Sequence, residues 1–210
     1  MAHAWMPGAR RIRAGTDGGP LRGGAPRAVW LTLDTSPRMV SIQSAAARLL
    51  SDRRPCHLVW DPASGEMVQL VSVLRAACAL GAPEGLERSN AAPVPASINS
   101  EGRICVQIGV LAHPAEPFTG GPLGGIGAII DWLDSWGIPR RWPAGQPGAY
   151  CAADHVRNRA LWARGGHFGA SQVPGCENVG PGDIDIDRLT GPHAVHPAPV
   201  ASAAALPIPA

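Results

Sequence analysis

The chain contains no lysine. All 18 of its basic side chains are arginine, and together with 26 Gly and 22 Pro this points to a GC-rich coding sequence more than to a functional demand. Charge is scarce, at 16% of residues with a net of +2, so charge alone selects no partner. The only basic cluster, "RRIR" at 10–13, sits in a Gly-rich segment without interleaved aromatics. It reads as solvated charge, and nucleic acid is not an expected partner. Five cysteines, Cys56, Cys78, Cys105, Cys151 and Cys176, form no C-x-x-C pair, and their odd number makes a poor disulfide framework. Buried free thiols are expected. No apolar run approaches the roughly 18 residues of a membrane span, and no apolar segment follows the arginines at 10, 11 and 13 as a signal peptide would require. The sequence thus shows no membrane association and no route out of a cytoplasm.

What is present is a 45% apolar chain long enough for one core. Residues 1–25 carry no periodic apolar pattern and are expected to lack structure, as is the Pro/Ala tail at 191–210; the domain is expected over 26–190. "RAVWLTL" (27–33) reads as a strand. "SIQSAAARLL" (41–50) reads as a helix with Ser41 as N-cap and Ile42, Ala45, Ala46 and Leu49 on one face. "CHLVWDPASGEMVQLVS" (56–72) is a hairpin around "DPASGE", and "RICVQIGVLA" (103–112) a strand buried on both faces. "GPLGGIGAIIDWLDSWG" (121–137) has helical spacing, weakened by Gly124, Gly125 and Gly127 at about 1 kcal/mol each. The expected fold is α/β, a single domain with a central mixed β-sheet flanked by helices.

Several phrases in order, "AVWLTLDT" (28–35), "CHLVWDPASGEMVQLV" (56–71), "ICVQIGV" (104–110), "WLDSWGIP" (132–139) and "GASQVP" followed by "PGDIDIDRL" (169–189), resemble the zinc-dependent N-acetylmuramoyl-L-alanine amidases and peptidoglycan recognition proteins. The resemblance implies a zinc held by a His at the end of the first strand, a His in a late Gly-His-Ser segment, and an Asp or Cys before a Pro-Gly. Here those positions hold Leu31, Ala170 and Gly180, none of which can bind a metal. The catalytic Glu that many members place after Gln-Ile is Gly109, and a Tyr before the hairpin His is Cys56. Asn178 falls near the oxyanion donors.

The expectation that follows is a non-catalytic protein of amidase fold, with no cofactor, binding peptidoglycan or a muropeptide through groove walls at Trp30, Thr32, His57, Gln107, Ser171 and Asn178. The alternative is an active zinc amidase using a displaced site at His57, His167 and Cys176. Competing readings make His57 a hydrogen-bonded strand residue, His167 a loop residue and Cys176 a solvent-facing thiol. Two patterns are set aside. "DIDIDR" (183–188) starts like a calcium loop, but Arg188 and Ala194 replace the Gly and Glu it needs, and Asp183 reads as a helix N-cap. "GASQV" has Val173 in place of the second Gly of a nucleophile elbow, and Ser171 has no evident base. Trp60, Trp132 and Trp136 read as core, and Trp30 as either lining the groove or turned away from it.

Overall fold

The computed structural model describes residues 1–33, 40–81, 98–150, 152 and 157–191. The tail after Gly191, with His193, Ala194 and His196, lies outside the described residues, as do Cys151 and His155. Six strands, β1 (Arg10–Arg11), β2 (Arg27–Thr32), β3 (Leu58–Trp60), β4 (Met67–Gln69), β5 (Cys105–Val110) and β6 (Gly166–Gly169), form one sheet in the order β1-β4-β3-β5-β2-β6. Among the described strands, β3 and β4 pair antiparallel, as the hairpin, and the other strand pairs are parallel, so the sheet is mixed and the fold is α/β. Helices α1 (Ile42–Ser51), α2 (Ile126–Ser135), α3 (Arg159–Ala163) and α4 (Ile186–Thr190) surround it. Among the described residues, no helix is long and apolar enough to cross a membrane.

Burial on both faces separates two apolar layers, because successive strand side chains point to opposite sides. Val29, Leu31, Val59, Cys105, Phe168 and Ala170 belong to one layer, which α1 covers with Ile42, Ala45 and Ala46. Ala28, Trp30, Leu58, Trp60, Val106 and Ile108 belong to the other, covered by α2 with Ile129, Ile130 and Leu133. Ser41 caps α1 by accepting from the Ser44 N–H. In the hairpin turn the two carboxylate oxygens of Asp61 accept from Ala63 N and Ser64 Oγ. Both features follow the sequence reading.

Three elements differ from it. The helix expected from 121 begins at Ile126, with Gly125 left-handed (φ 77°) at its N-cap. Gly124 lies against the hairpin: a Cβ there would come within 3.0 Å of Gly65 Cα, and the Gly124 carbonyl accepts from Trp60 Nε1. Two of the three glycines therefore lie outside the helix, at a close backbone approach, and do not weaken it. Helix α4 is capped by Asp185, which accepts from Asp187 N and Arg188 N, not by Asp183.

The largest difference is at the N-terminus. Residues 1–25, expected to lack structure, pack along the sheet. Met6 is buried in the α2-side layer, and β1 extends the sheet beside β4. The buried Gln69 side chain holds this arm: its Oε1 accepts from Met6 N, and its Nε2 donates to the Ala4 and Val71 carbonyls. Trp132 and Trp136 both donate through Nε1 to the His3 carbonyl. Backbone hydrogen bonds to distant side chains leave no apolar period, which is why the sequence did not betray the arm.

Gln69→Ala removes three hydrogen bonds at one buried point and strands Met6 N, so it should lower the unfolding free energy by about 1–3 kcal/mol. Denaturant titration checks this. Trypsin should also cut at Arg10, Arg11 and Arg13 markedly faster in the variant.

Candidate functional site

Strands β2 and β6 run side by side in parallel, Trp30 opposite Gly169, and on its other side β2 sets Leu31 opposite Gly109. Ala170 follows β6 directly. The loop carrying Gly180 returns to the same end of the sheet: its carbonyl accepts from Ser171 N at 2.8 Å, and its own N–H donates to Asn178 Oδ1 at 2.8 Å. Gly180 also lies so close to Thr32 that a Cβ added to it would overlap Thr32 Oγ1. Leu31, Thr32, Gly109, Ala170, Ser171, Asn178 and Gly180 therefore meet at the C-terminal ends of β2, β5 and β6. The structure brings these sequence-distant residues together.

The chemistry there is apolar and close-packed. Leu31 and Ala170 are buried in the α1-side layer. A Cβ at Gly109 would meet Cys56 Sγ and Leu33 Cδ2 at 3.0 Å, so the space a longer side chain would need is already filled. Leu31, Ala170 and Gly180 offer zinc no donor atom, and the packing around Gly109 and Gly180 leaves no room for larger side chains; these residues do not fit the metal. Two hydroxyls stand out. Thr32 Oγ1 and Ser171 Oγ are buried without a hydrogen-bond partner among the described residues. Beside Thr32 a cavity of about 210 Å³ opens between the end of β2 and α1, lined by Leu31, Thr32, Leu33, Leu49, Arg54 and Asn178 among others. Arg54 is braced by a hydrogen bond from Nη2 to the Ala79 carbonyl.

The other residues singled out from the sequence lie elsewhere. Trp30 is fully buried in the opposite layer, where its Nε1 donates to His167 Nδ1 at 3.0 Å and its ring stacks on the imidazole. It is turned away from the groove. His167 is a residue of β6 rather than of a loop, and it also packs against Trp142. His57 Nδ1 accepts from Gln107 N at 3.0 Å while its Nε2 faces the Arg75 carbonyl at 2.9 Å, which fixes a neutral imidazole protonated at Nε2. Gln107 accepts from Ala79 N and donates to Asn99 Oδ1, so it braces the fold from within. Cys176 is buried in the α1-side layer, not solvent-facing, and burial raises its thiol pKa. The sheet thus separates His167 from Cys176, and the displaced set is not assembled. Among the described residues, no three His, Cys, Asp or Glu side chains are grouped as one ion would require. The cavity-lining residues of α1 and Arg54 were missed in the sequence because nothing in a surface helix marks which of its residues face a void.

No family model and no curated protein matches the chain. Among solved structures, the hydrolase AmiA of Staphylococcus aureus, determined in complex with its ligand, aligns over 78% of this chain with a TM-score of 0.45 and 7% identity. This chain spans 65% of the length of that one. A likeness of that degree carries no argument about the site.

Burial lowers the pKa of His57 from 6.5 to about 4. Between those values the unfolded chain binds a proton that the folded chain does not, so stability is fully present above pH 6.5 and is lost as pH falls toward 4. The loss is on the order of 3 kcal/mol for this gap, and is to be read from denaturant midpoints across that range. A His57→Gln variant should be less stable at pH 7 and should lose this part of the slope.

Proposed function

We propose that this chain is a non-catalytic protein of the N-acetylmuramoyl-L-alanine amidase kind, a pseudoenzyme that binds peptidoglycan fragments at the C-terminal end of β2 without zinc. One observation carries the reading. The positions to which the resemblance assigns metal ligands, Leu31, Ala170 and Gly180, meet at one end of the sheet, next to a cavity bordered by Leu31, Thr32 and Asn178. Leu31 and Ala170 close neighbouring strands, and the Gly180 loop returns beside them, which is the convergence the reading requires. In this reading recognition rests on the groove walls. Asn178 and Thr32 supply polar groups, Leu31, Leu33 and Leu49 an apolar floor, and Arg54 a cation for a carboxylate of the stem peptide. A site of about 210 Å³ is smaller than the roughly 300–1,000 Å³ of drug-sized pockets, so it takes one peptide side chain or a lactyl group and leaves the rest of the ligand on the surface.

Calorimetric titration with soluble muropeptides should show binding, and Leu49→Trp, which fills the cavity from α1, should weaken it at least tenfold. Asn178→Ala should weaken it less. Purified protein should hold no stoichiometric zinc and release no peptide from peptidoglycan. Turnover abolished by a chelator would overturn the reading, as would muropeptide binding that ignores Leu49→Trp. Restoring ligands needs more than three substitutions: Leu31→His, Ala170→His and Gly180→Asp should recover zinc only when Thr32 is also reduced to Gly or Ala, because of the overlap at Gly180.

A further inference from the structure

The two edges of the sheet are finished differently. On β6, the outward N–H of His167 donates to the Arg141 carbonyl and that of Gly169 to Gln172 Oε1, so the chain covers that edge itself. On β1, the ladder to β4 runs through alternate residues: Ile12 N donates to the Gln69 carbonyl and Ala14 N to the Leu70 carbonyl. Arg11, in register with Gln69, therefore turns its backbone N–H and C=O groups outward, and Arg13, between the two donors Ile12 and Ala14, makes no backbone hydrogen bond through its N–H among the described residues. Among the described residues no strand follows β1 in the sheet order, and Arg10, Arg11 and Arg13 are exposed.

We propose that the outer edge of β1 is a docking strand for an extended acidic peptide of a partner protein, which adds to the sheet beside Arg10–Arg13. A bare edge offers main-chain hydrogen bonds to any extended segment, and the side chains along it select which one. Three arginines in four residues select against a second copy of this chain, since pairing like edges would set guanidinium groups opposite one another. They select for Asp and Glu. The residues before Asp17 contain no carboxylate, and Asp17 is itself engaged by Arg75 at 2.9 Å, so no nearby acid of this segment neutralises the edge. Arg11 and Arg13 are also held: their guanidinium carbons lie 5.5 and 5.8 Å from the centre of the Trp5 ring. Stacking on one indole keeps two cations side by side on one face of the strand, at the spacing of alternate residues of an added strand. The aromatic partner that the sequence of "RRIR" did not show is supplied from five residues upstream of the cluster. This proposal is independent of the groove at the other end of the sheet.

The test uses the whole chain and a fluorescent eight-residue peptide alternating Glu with Thr, followed by anisotropy. The peptide should bind, and the same peptide with every second backbone amide N-methylated on its pairing side should bind at least tenfold more weakly. A peptide with Lys for Glu should not bind measurably. Arg13→Gln should weaken binding a few-fold by charge. Arg13→Pro removes the same charge and also the outward N–H, yet leaves the Ile12 and Ala14 bonds to β4 in place, so it should weaken binding at least tenfold beyond Arg13→Gln. If the two variants bind alike, or if N-methylation makes no difference, the edge is only a cationic patch and the proposal fails. Failure of the acidic peptide to bind overturns it as well. Should Arg13→Pro not fold, the N-methylated peptide on the unaltered protein decides alone.

Discussion

Strand β2 is buried along all six of its residues and hydrogen-bonded on both sides, to β5 and to β6. Everything else is arranged around that burial. Because its residues alternate between the layers, Trp30 anchors the α2 side while Leu31 faces α1, and a shift of one residue would exchange them. The hydrogen bond from Trp30 Nε1 to His167 Nδ1 ties the strand to its neighbour through side chains as well as backbone. Register is therefore specified twice. The strand also starts under constraint, for the Arg27 guanidinium is buried against the Trp162 ring at 4.1 Å with Glu101 only at 4.0 Å, and burial lowers its pKa. Leaving a cation so sparsely hydrogen-bonded costs stability, and the face of the indole offsets part of that cost.

The elements that could be read from the sequence were those whose pattern is local. β2 and β5 are apolar runs, the hairpin is marked by Asp61, Pro62 and Gly65, and α1 by Ser41 and its apolar face. β6 could not be read so, since "GHFG" is short, rich in glycine and stabilised by pairing with β2, a contact 139 residues away along the chain (Ala28 to His167). The N-terminal arm was hidden for the same reason. Its order comes from Gln69, Trp132 and Trp136, polar groups of distant side chains that bind its backbone.

The convergence of Leu31, Ala170 and Gly180 was legible in a narrower sense. The phrases around Leu31, Ala170 and Gly180 identify positions, and backbone geometry joins those positions. Which side chains surround them could not be read, because that depends on which face of the sheet each residue takes. Trp30 and His167 went to the far side, and His57 and Gln107 are occupied in bracing β3 against β5. What stands at the centre is a packed arrangement in which Cys56 and Leu33 fill the space beside Gly109, and Thr32 the space beside Gly180. Such packing leaves no ready volume for a longer side chain at either glycine. A larger residue at either position would have to displace neighbours that already hold the volume.

The arm also bears on how the molecule is made. Residues 3 to 14 leave the ribosome well before Gln69, and longer still before Trp132 and Trp136, on which their placement depends. Until those partners exist, Met6 and Trp5 remain exposed on an emerging segment rich in arginine and glycine. Docking of this early segment therefore waits until residues 69, 132 and 136 have emerged. A nascent chain stalled before residue 132 would carry that segment undocked at its α2 face, and would present it to chaperones rather than to the core.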